Sequence, residues 1–262
     1  MKFNIYQIDA FTDRVFSGNP AAVCPLDKWL DDDILQIIAM ENNLAETAFY
    51  VRQENQYHIR WFTPTTEIDL CGHATLAAAF VLFNLKHYKE ERISFYSPRS
   101  GTLAVSKHGE LLTLNFPCDV LEPLEISKNI LDCFDRKPKR ALKGKTDYML
   151  EFEKEEDIKA IVPSFGAISK LNCRGVIVTA KGSDVDFVSR FFAPQSGIDE
   201  DLVTGSAHTT LIPYWSKELG KNKLTAKQLS KRMGYLTCNY VNDRVEIGGQ
   251  CKLYLVGEIY LK

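Results

Sequence analysis

The sequence has little charge of one sign: 32 Lys+Arg stand against 34 Asp+Glu, a formal net charge of −2. That balance excludes a strongly basic nucleic-acid binder and an acidic disordered tail. Long apolar runs are also missing. The longest, Leu76–Phe83, falls far below the roughly 18–20 residues of a membrane span and predicts a buried helix instead. The opening residues, from Met1 to Asp9, alternate like a strand and lack the basic region, apolar stretch and cleavage site of a signal peptide. Seven cysteines (Cys24, Cys71, Cys118, Cys133, Cys173, Cys238, Cys251) include no Cys-x-x-Cys pair, which argues against a disulfide framework or structural zinc. GxGxxG, P-loop, HExxH and GxSxG patterns are absent, and no His/Cys cluster has metal spacing. Together these absences predict a cytoplasmic protein with no cofactor, metal, nucleic-acid or membrane partner. Proton transfer by side chains is the chemistry left to it.

What is present is enough for a large core: 45% of residues are hydrophobic and 11% aromatic. The most informative pattern is internal. Arg60-Trp61-Phe62-Thr63-Pro64 returns 130 residues later as Arg190-Phe191-Phe192-Ala193-Pro194, and Cys71-Gly72-His73-Ala74 is echoed 133 residues on by Thr204-Gly205-Ser206-Ala207. Each copy reads as a strand, a Pro-terminated turn, an acidic loop and a glycine opening a helix. Two copies are too few for a solenoid but suit two similar halves, 1–118 and 119–262, facing across a cleft, with a terminal strand free to cross over. Helices are expected at Asp31–Met40, His73–Leu85, Lys154–Pro163, Ser206–Leu219 and, behind a capping threonine, Thr225–Met233. Strands are expected at Phe3–Asp9, Thr47–Val51, Tyr57–Phe62, Ile93–Tyr96, Gly101–Lys107 and Glu110–Phe116, then at Gly175–Ala180, Asp186–Phe192, Leu236–Val241, Arg244–Gly248 and Leu253–Tyr260. Pro213 lies too deep for a first-turn proline and predicts a kink.

Helix N-termini present unpaired N–H groups and a partial positive charge. The Gly72 and Gly205 turns therefore predict a site for a small anion. His73 starts the first helix, where the dipole would keep it neutral near pH 7; a cap or core histidine is the plainer alternative. Asp201, in Asp199-Glu200-Asp201, reads equally as a solvated loop, and Ser206 as an ordinary helix cap. Glu46, in Leu44-Ala45-Glu46-Thr47-Ala48-Phe49, is either an edge-strand carboxylate in water or a half-buried acid tuned for proton transfer.

These residues resemble the PhzF family, the phenazine-biosynthesis-like proteins with the diaminopimelate epimerase fold. The resemblance runs through Asp9-Ala10-Phe11-Thr12, Phe16-Ser17-Gly18-Asn19-Pro20-Ala21, Asn43-Leu44-Ala45-Glu46-Thr47-Ala48-Phe49, both Arg-containing motifs, Asp69-Leu70-Cys71-Gly72-His73-Ala74-Thr75 and Glu200-Asp201-Leu202-Val203-Thr204-Gly205-Ser206-Ala207. It departs at Leu202, where the family usually has a proline that would stiffen the Asp201 loop. The resemblance implies an α+β fold of two similar halves, each a curled, barrel-like mixed or antiparallel sheet around a central helix, and usually a homodimer. It also implies cofactor-free isomerisation of a small carboxylate-bearing metabolite, as with trans-2,3-dihydro-3-hydroxyanthranilate. Glu46 would move the proton; His73, Asp201 and Ser206 would hold polar groups and relay protons. Asn19, Pro20, Gly72, Gly205, Thr204 and Cys71 would line the substrate. A two-thiol racemase of the same fold is the alternative enzyme, but Thr204 stands where its second cysteine would be, and Cys71 then reads as a packing residue. A binding protein that kept the fold without the chemistry is the alternative outside enzymes.

Overall fold

A computed structural model describes residues 1–54 and 56–261. The chain divides into two compact units, Met1–Asn115 with Gly248–Lys262, and Phe116–Ile247. The expected second half, 119–262, therefore gives up its last strand, Cys251–Tyr260, which pairs antiparallel with the first strand of the chain.

The first unit opens with β1 (Lys2–Ala10), β2 (Asn19–Leu26), α1 (Asp32–Asn42), β3 (Glu46–Gln53), β4 (Gln56–Phe62) and β5 (Glu67–Ile68). It continues with α2 (Gly72–Phe80), a π-helical turn (Val81–Leu85), β6 (Arg92–Ser97), β7 (Gly101–His108) and β8 (Leu111–Pro117). The sheet is mixed: β2 runs parallel to β3, β3 antiparallel to β4, β4 parallel to β6, and β6 antiparallel to β7. β2 escaped the strand reading because it is buried on both faces, so its sequence does not alternate. α2 packs against β1, β2, β3 and β7, and every residue from His73 to Ala79 is buried. A helix with no polar stripe must be enclosed in this way.

The second unit holds β9 (Glu122–Pro123), α3 (Lys128–Leu131), β10 (Arg140–Lys143), β11 (Asp147–Glu151), α4 (Glu155–Ala160), α5 (Phe165–Ile168) and β12 (Gly175–Lys181). β13 (Phe187–Ala193), β14 (Ile198–Asp201), α6 (Gly205–Leu219), β15 (Lys223–Gln228), β16 (Gly234–Val241) and β17 (Arg244–Gly249) follow. Its wiring repeats the first unit: β11 parallel to β12, β12 antiparallel to β13, β13 parallel to β15, and β15 antiparallel to β16. The short β14 pairs with β13 as β5 does with β4, just ahead of the central helix in each case. The duplication seen in the motifs is thus a duplication of topology.

The helix expected at Thr225–Met233 is not formed. Lys223–Gln228 is strand β15, and its burial alternates with the period of two that a strand requires. Thr225 is no helix cap: its backbone N–H donates to Asp186 Oδ2 at 2.8 Å, tying it sideways. The helix expected at Lys154–Pro163 is shorter, because Pro163 bridges Phe134 instead. Pro213 does not end α6. Its missing N–H leaves the Thr209 carbonyl without an intrahelical donor, and Asp119 N–H supplies one at 3.0 Å. No helix among the described residues is long and apolar enough to cross a membrane.

The repeated motif performs the same task in each unit. Arg60 donates to both carboxylate oxygens of Glu67 at 2.7 and 2.9 Å, and Arg190 does the same to Glu200 at 2.7 and 2.9 Å. Each guanidinium lies over the second aromatic of its own motif, Phe62 at 5.1 Å and Phe192 at 4.9 Å. These bidentate pairs pin each acidic loop, and hence the start of each central helix, to the strand before it. Arg190→Gln should cost about 2–3 kcal/mol in urea denaturation, because Glu200 is only partly solvated once its partner goes. A loss below about 0.5 kcal/mol, the scale of a surface pair, would contradict the pinning role.

Candidate active site

In the first unit, three separate segments bring their polar side chains to one imidazole. The loop from Phe11 to Gly18 turns back on β1, with the Phe16 N–H donating to Asp9 Oδ2 at 2.8 Å. Gly18, at φ +67°, lies so close to the Ala10 carbonyl that a Cβ would sit 2.1 Å from its oxygen, so only glycine fits. That turn delivers Asn19 to the first position of β2, fully buried. The β2–β3 register sets Ala21 beside Glu46, and α2 carries His73 as its second residue.

Glu46 Oε2 lies 3.1 Å from His73 Nε2, though off-line for an ideal hydrogen bond. On the other ring nitrogen, Nδ1, Asn19 Nδ2 approaches to 3.3 Å and Cys71 Sγ to 3.5 Å. Glu46 is 7% exposed and His73 4%. Glu46 is therefore not an edge carboxylate in water, and His73 is not a plain cap. Burial pulls the His73 pKa down, but Cys71 and the Glu46 carboxylate push it up further, so it stands well above the ordinary imidazole value. The carboxylate 3.1 Å from His73 opposes the helix dipole behind the expectation of a neutral imidazole. The Asn19 amide suits either protonation state, since it can offer its nitrogen to a bare Nδ1 or its oxygen to an N–H.

Glu46, Cys71 and His73 lie close enough together to be considered as metal ligands. Their arrangement fits poorly, because the thiol and the carboxylate address opposite nitrogens of one ring. A single ion can bond only one of those nitrogens. The same arrangement suits a proton relay, and burial pushes the Cys71 thiol up, away from the thiolate a metal prefers.

In the second unit, Asp201 and Ser206 are held by Thr204 and by three residues outside the sequence reading, Gln228, Ser230 and Arg174. Thr204 Oγ1 donates to Asp201 Oδ2 at 2.6 Å, so Thr204 positions the acid. Gln228, fully buried on β15, donates to the Asp201 carbonyl at 2.9 Å and accepts from Thr204 N–H at 2.8 Å. Ser230 Oγ donates to the Leu202 carbonyl at 2.6 Å. These bonds brace the loop where the family's proline would. Ser206 Oγ accepts from Arg174 Nη2 at 3.0 Å. Gln228 and Ser230 lay inside the segment misread as helix, which hid them. Arg174 was signalled by the repeat itself, as it precedes the strand that duplicates β3. Both central helices start without a side-chain cap, so the N–H groups of the Gly72 and Gly205 turns remain available to an anion. Pro20 sits within β2, paired with Asp9.

Two duplicated mixed sheets around buried helices, one with a carboxylate–imidazole pair, define an epimerase-like fold. A structure of a hydroxyproline epimerase from Agrobacterium vitis shares that fold, with TM-score 0.63 at 7% identity, over 98% of this chain and 92% of that one. The family model for phenazine biosynthesis-like protein matches residues 8–256, and the chain belongs to this PhzF family. A Pseudomonas aeruginosa protein named an uncharacterized isomerase is 50% identical over the whole of both chains. The crystal structure of a PhzF-family protein from Enterococcus faecalis is 49% identical and superposes with TM-score 0.97 over all of both chains.

Two histidines give opposite pH signatures. The folded pKa of His73 is raised, so its contribution to stability is full below about pH 6.5 and is lost as pH rises through the folded value. His208, fully buried with Nδ1 against the Thr204 carbonyl, is pushed down by burial to about 4. Its contribution is full above about pH 6.5 and falls by roughly 3 kcal/mol as pH drops toward the folded value. Side-chain 15N NMR should show His73 protonated at pH 7 and His208 neutral, with Glu46→Gln lowering the His73 midpoint. A His73 midpoint below 6 would contradict this electrostatic account.

Proposed function

We propose that the chain is a cofactor-independent isomerase that shifts a proton between two carbons of a small carboxylate-bearing metabolite with a conjugated system. The isomerisation of trans-2,3-dihydro-3-hydroxyanthranilate is the pattern. The reading is carried by the buried Glu46–His73 contact at 3.1 Å, set beside the uncapped start of α2. It is supported by relatives named as isomerases. Glu46, as carboxylate, takes a proton from one carbon. The electron pair left behind spreads through the conjugated system, and the carboxylic acid so formed returns the proton to a second carbon, so no net proton or electron is gained or lost. His73, in its charged form beside Glu46, offsets negative charge while the proton is in transit. The resemblance further assigns Asp201 and Ser206 to the substrate's polar groups, and helix-start N–H groups to its carboxylate.

A two-thiol racemase is disfavoured by chemistry. The second turn offers a threonine hydroxyl, already committed to Asp201, in place of an acidic thiol. The exposed side chains of Tyr254, Leu255 and Val256 on the C-terminal strand support assembly as a homodimer.

The reading predicts that Glu46→Gln abolishes turnover of trans-2,3-dihydro-3-hydroxyanthranilate, a loss of at least about a thousandfold, while binding a product analogue within threefold of the parent. Turnover in deuterated water should place solvent deuterium at the accepting carbon to the extent that Glu46 exchanges before returning its proton. Undiminished activity in Glu46→Gln would sink the mechanism.

A further inference from the structure

The duplication allows the two units to be compared position by position, and they differ at one telling place. Arg60 pairs with Phe49 across β4 and β3, and Arg190 pairs with Val178 across β13 and β12. Counting back from these anchors, Glu46 of the first unit corresponds to Gly175 of the second. His73, the second residue of α2, corresponds to Ser206, the second residue of α6. The second unit has no room for a second carboxylate there. A Cβ on Gly175 would sit 2.3 Å from the ring of Phe191. The neighbouring Arg174 instead reaches the helix start, its guanidinium lying 5.3 Å over that same Phe191 ring.

Arg174 is held hard. Asp147, at the start of β11 and 2% exposed, accepts from both its Nε, at 2.9 Å, and its Nη2. The Nη2 also donates to Ser206 Oγ at 3.0 Å. A guanidinium has five donors and no acceptor, so the polarity of this last bond is fixed: Ser206 Oγ must accept. The hydroxyl proton is thereby turned away from Arg174 and can only be given to something else. Ser206 Oγ has no other partner among the described residues, and the Arg174 side chain is 40% exposed.

We propose that Arg174, clamped by Asp147, is the positioning residue of the second unit: it fixes Ser206 as a hydrogen-bond donor to the substrate's carboxylate and so selects carboxylates over their neutral isosteres. The assignment rests on the isomerase reading for the class of substrate, and its test is one of binding, so that the two can fail separately.

Calorimetric titration at pH 7 with 3-hydroxyanthranilate and with its carboxamide, 3-hydroxyanthranilamide, would be made on the parent chain, Arg174→Gln, Ser206→Ala, the double variant and Arg174→Lys. The parent is expected to prefer the carboxylate. Arg174→Gln should weaken carboxylate binding about tenfold or more, the scale of a charge-assisted hydrogen bond, and carboxamide binding less than threefold. In the Ser206→Ala background the same change should cost less than threefold, because Arg174 acts through that hydroxyl. Arg174→Lys should fall between, since one ammonium cannot hold Asp147 at two points and Ser206 as well. If Arg174→Gln fails to fold with Asp147 left unpaired, Arg174→Gln with Asp147→Asn removes both charges and should show the same loss of discrimination. Additive effects of the two single variants, equal losses for both ligands, or a parent without preference for the carboxylate would each overturn the assignment. A parent that binds 3-hydroxyanthranilate with the expected variant pattern but does not turn over trans-2,3-dihydro-3-hydroxyanthranilate would sink the isomerase reading and leave Arg174 in its role.

Discussion

Both central helices begin without a capping side chain, and much of the structure follows from that. A buried helix start leaves backbone N–H groups that must find partners or stay costly. Cys71 and Thr204, the residues in the N-cap positions, are extended, and neither side chain makes a capping hydrogen bond to its helix. Cys71 faces His73, and Thr204 faces Asp201. A chain ordinarily satisfies such N–H groups for stability's sake. Leaving two of these starts open, in the same place in each repeat, requires that the loops before them be fixed by other means. The Arg60–Glu67 and Arg190–Glu200 pairs do so, each from the preceding strand.

From a common plan the two units have diverged into different chemistries. The first places a carboxylate against an imidazole and buries both. The second replaces the carboxylate with Gly175, fills the space with Phe191, and brings in Arg174 with its buried counter-ion. Asp201 is a further difference, because its loop is braced by Gln228 and Ser230 where a proline would otherwise stiffen it. Rigidity from three hydrogen bonds substitutes for rigidity from a ring.

The sequence carried the repeat and the two glycine turns, because those depend on short local motifs. It could not carry what depends on pairing across long separations. The surroundings of His73 were only half legible, since the dipole of its own helix is a local feature whereas the opposing Glu46 is 27 residues away in the chain. β15 read as a helix because Thr225 followed by mixed residues imitates a capped start, while the partner that holds it extended, Asp186, is 39 residues back. β2 was missed because burial on both faces removes the alternation that marks a strand.

A chain of net charge −2 offers an anion no broad positive surface. Arg174 alters that picture less by its charge than by its direction. Asp147 cancels the charge locally, and Asp201 adds a further negative group to the same unit, so bare Coulomb attraction to a carboxylate would be weak and easily screened. An acceptor-free guanidinium fixes which way a neighbouring hydroxyl must point, and salt does not screen that constraint. Discrimination between a carboxylate and its amide then comes from the donor set: either carboxylate oxygen can accept the Ser206 proton, whereas the amide's NH2 cannot. Selection of this kind needs no positive surface, which is how a nearly neutral chain can be specific for an anion.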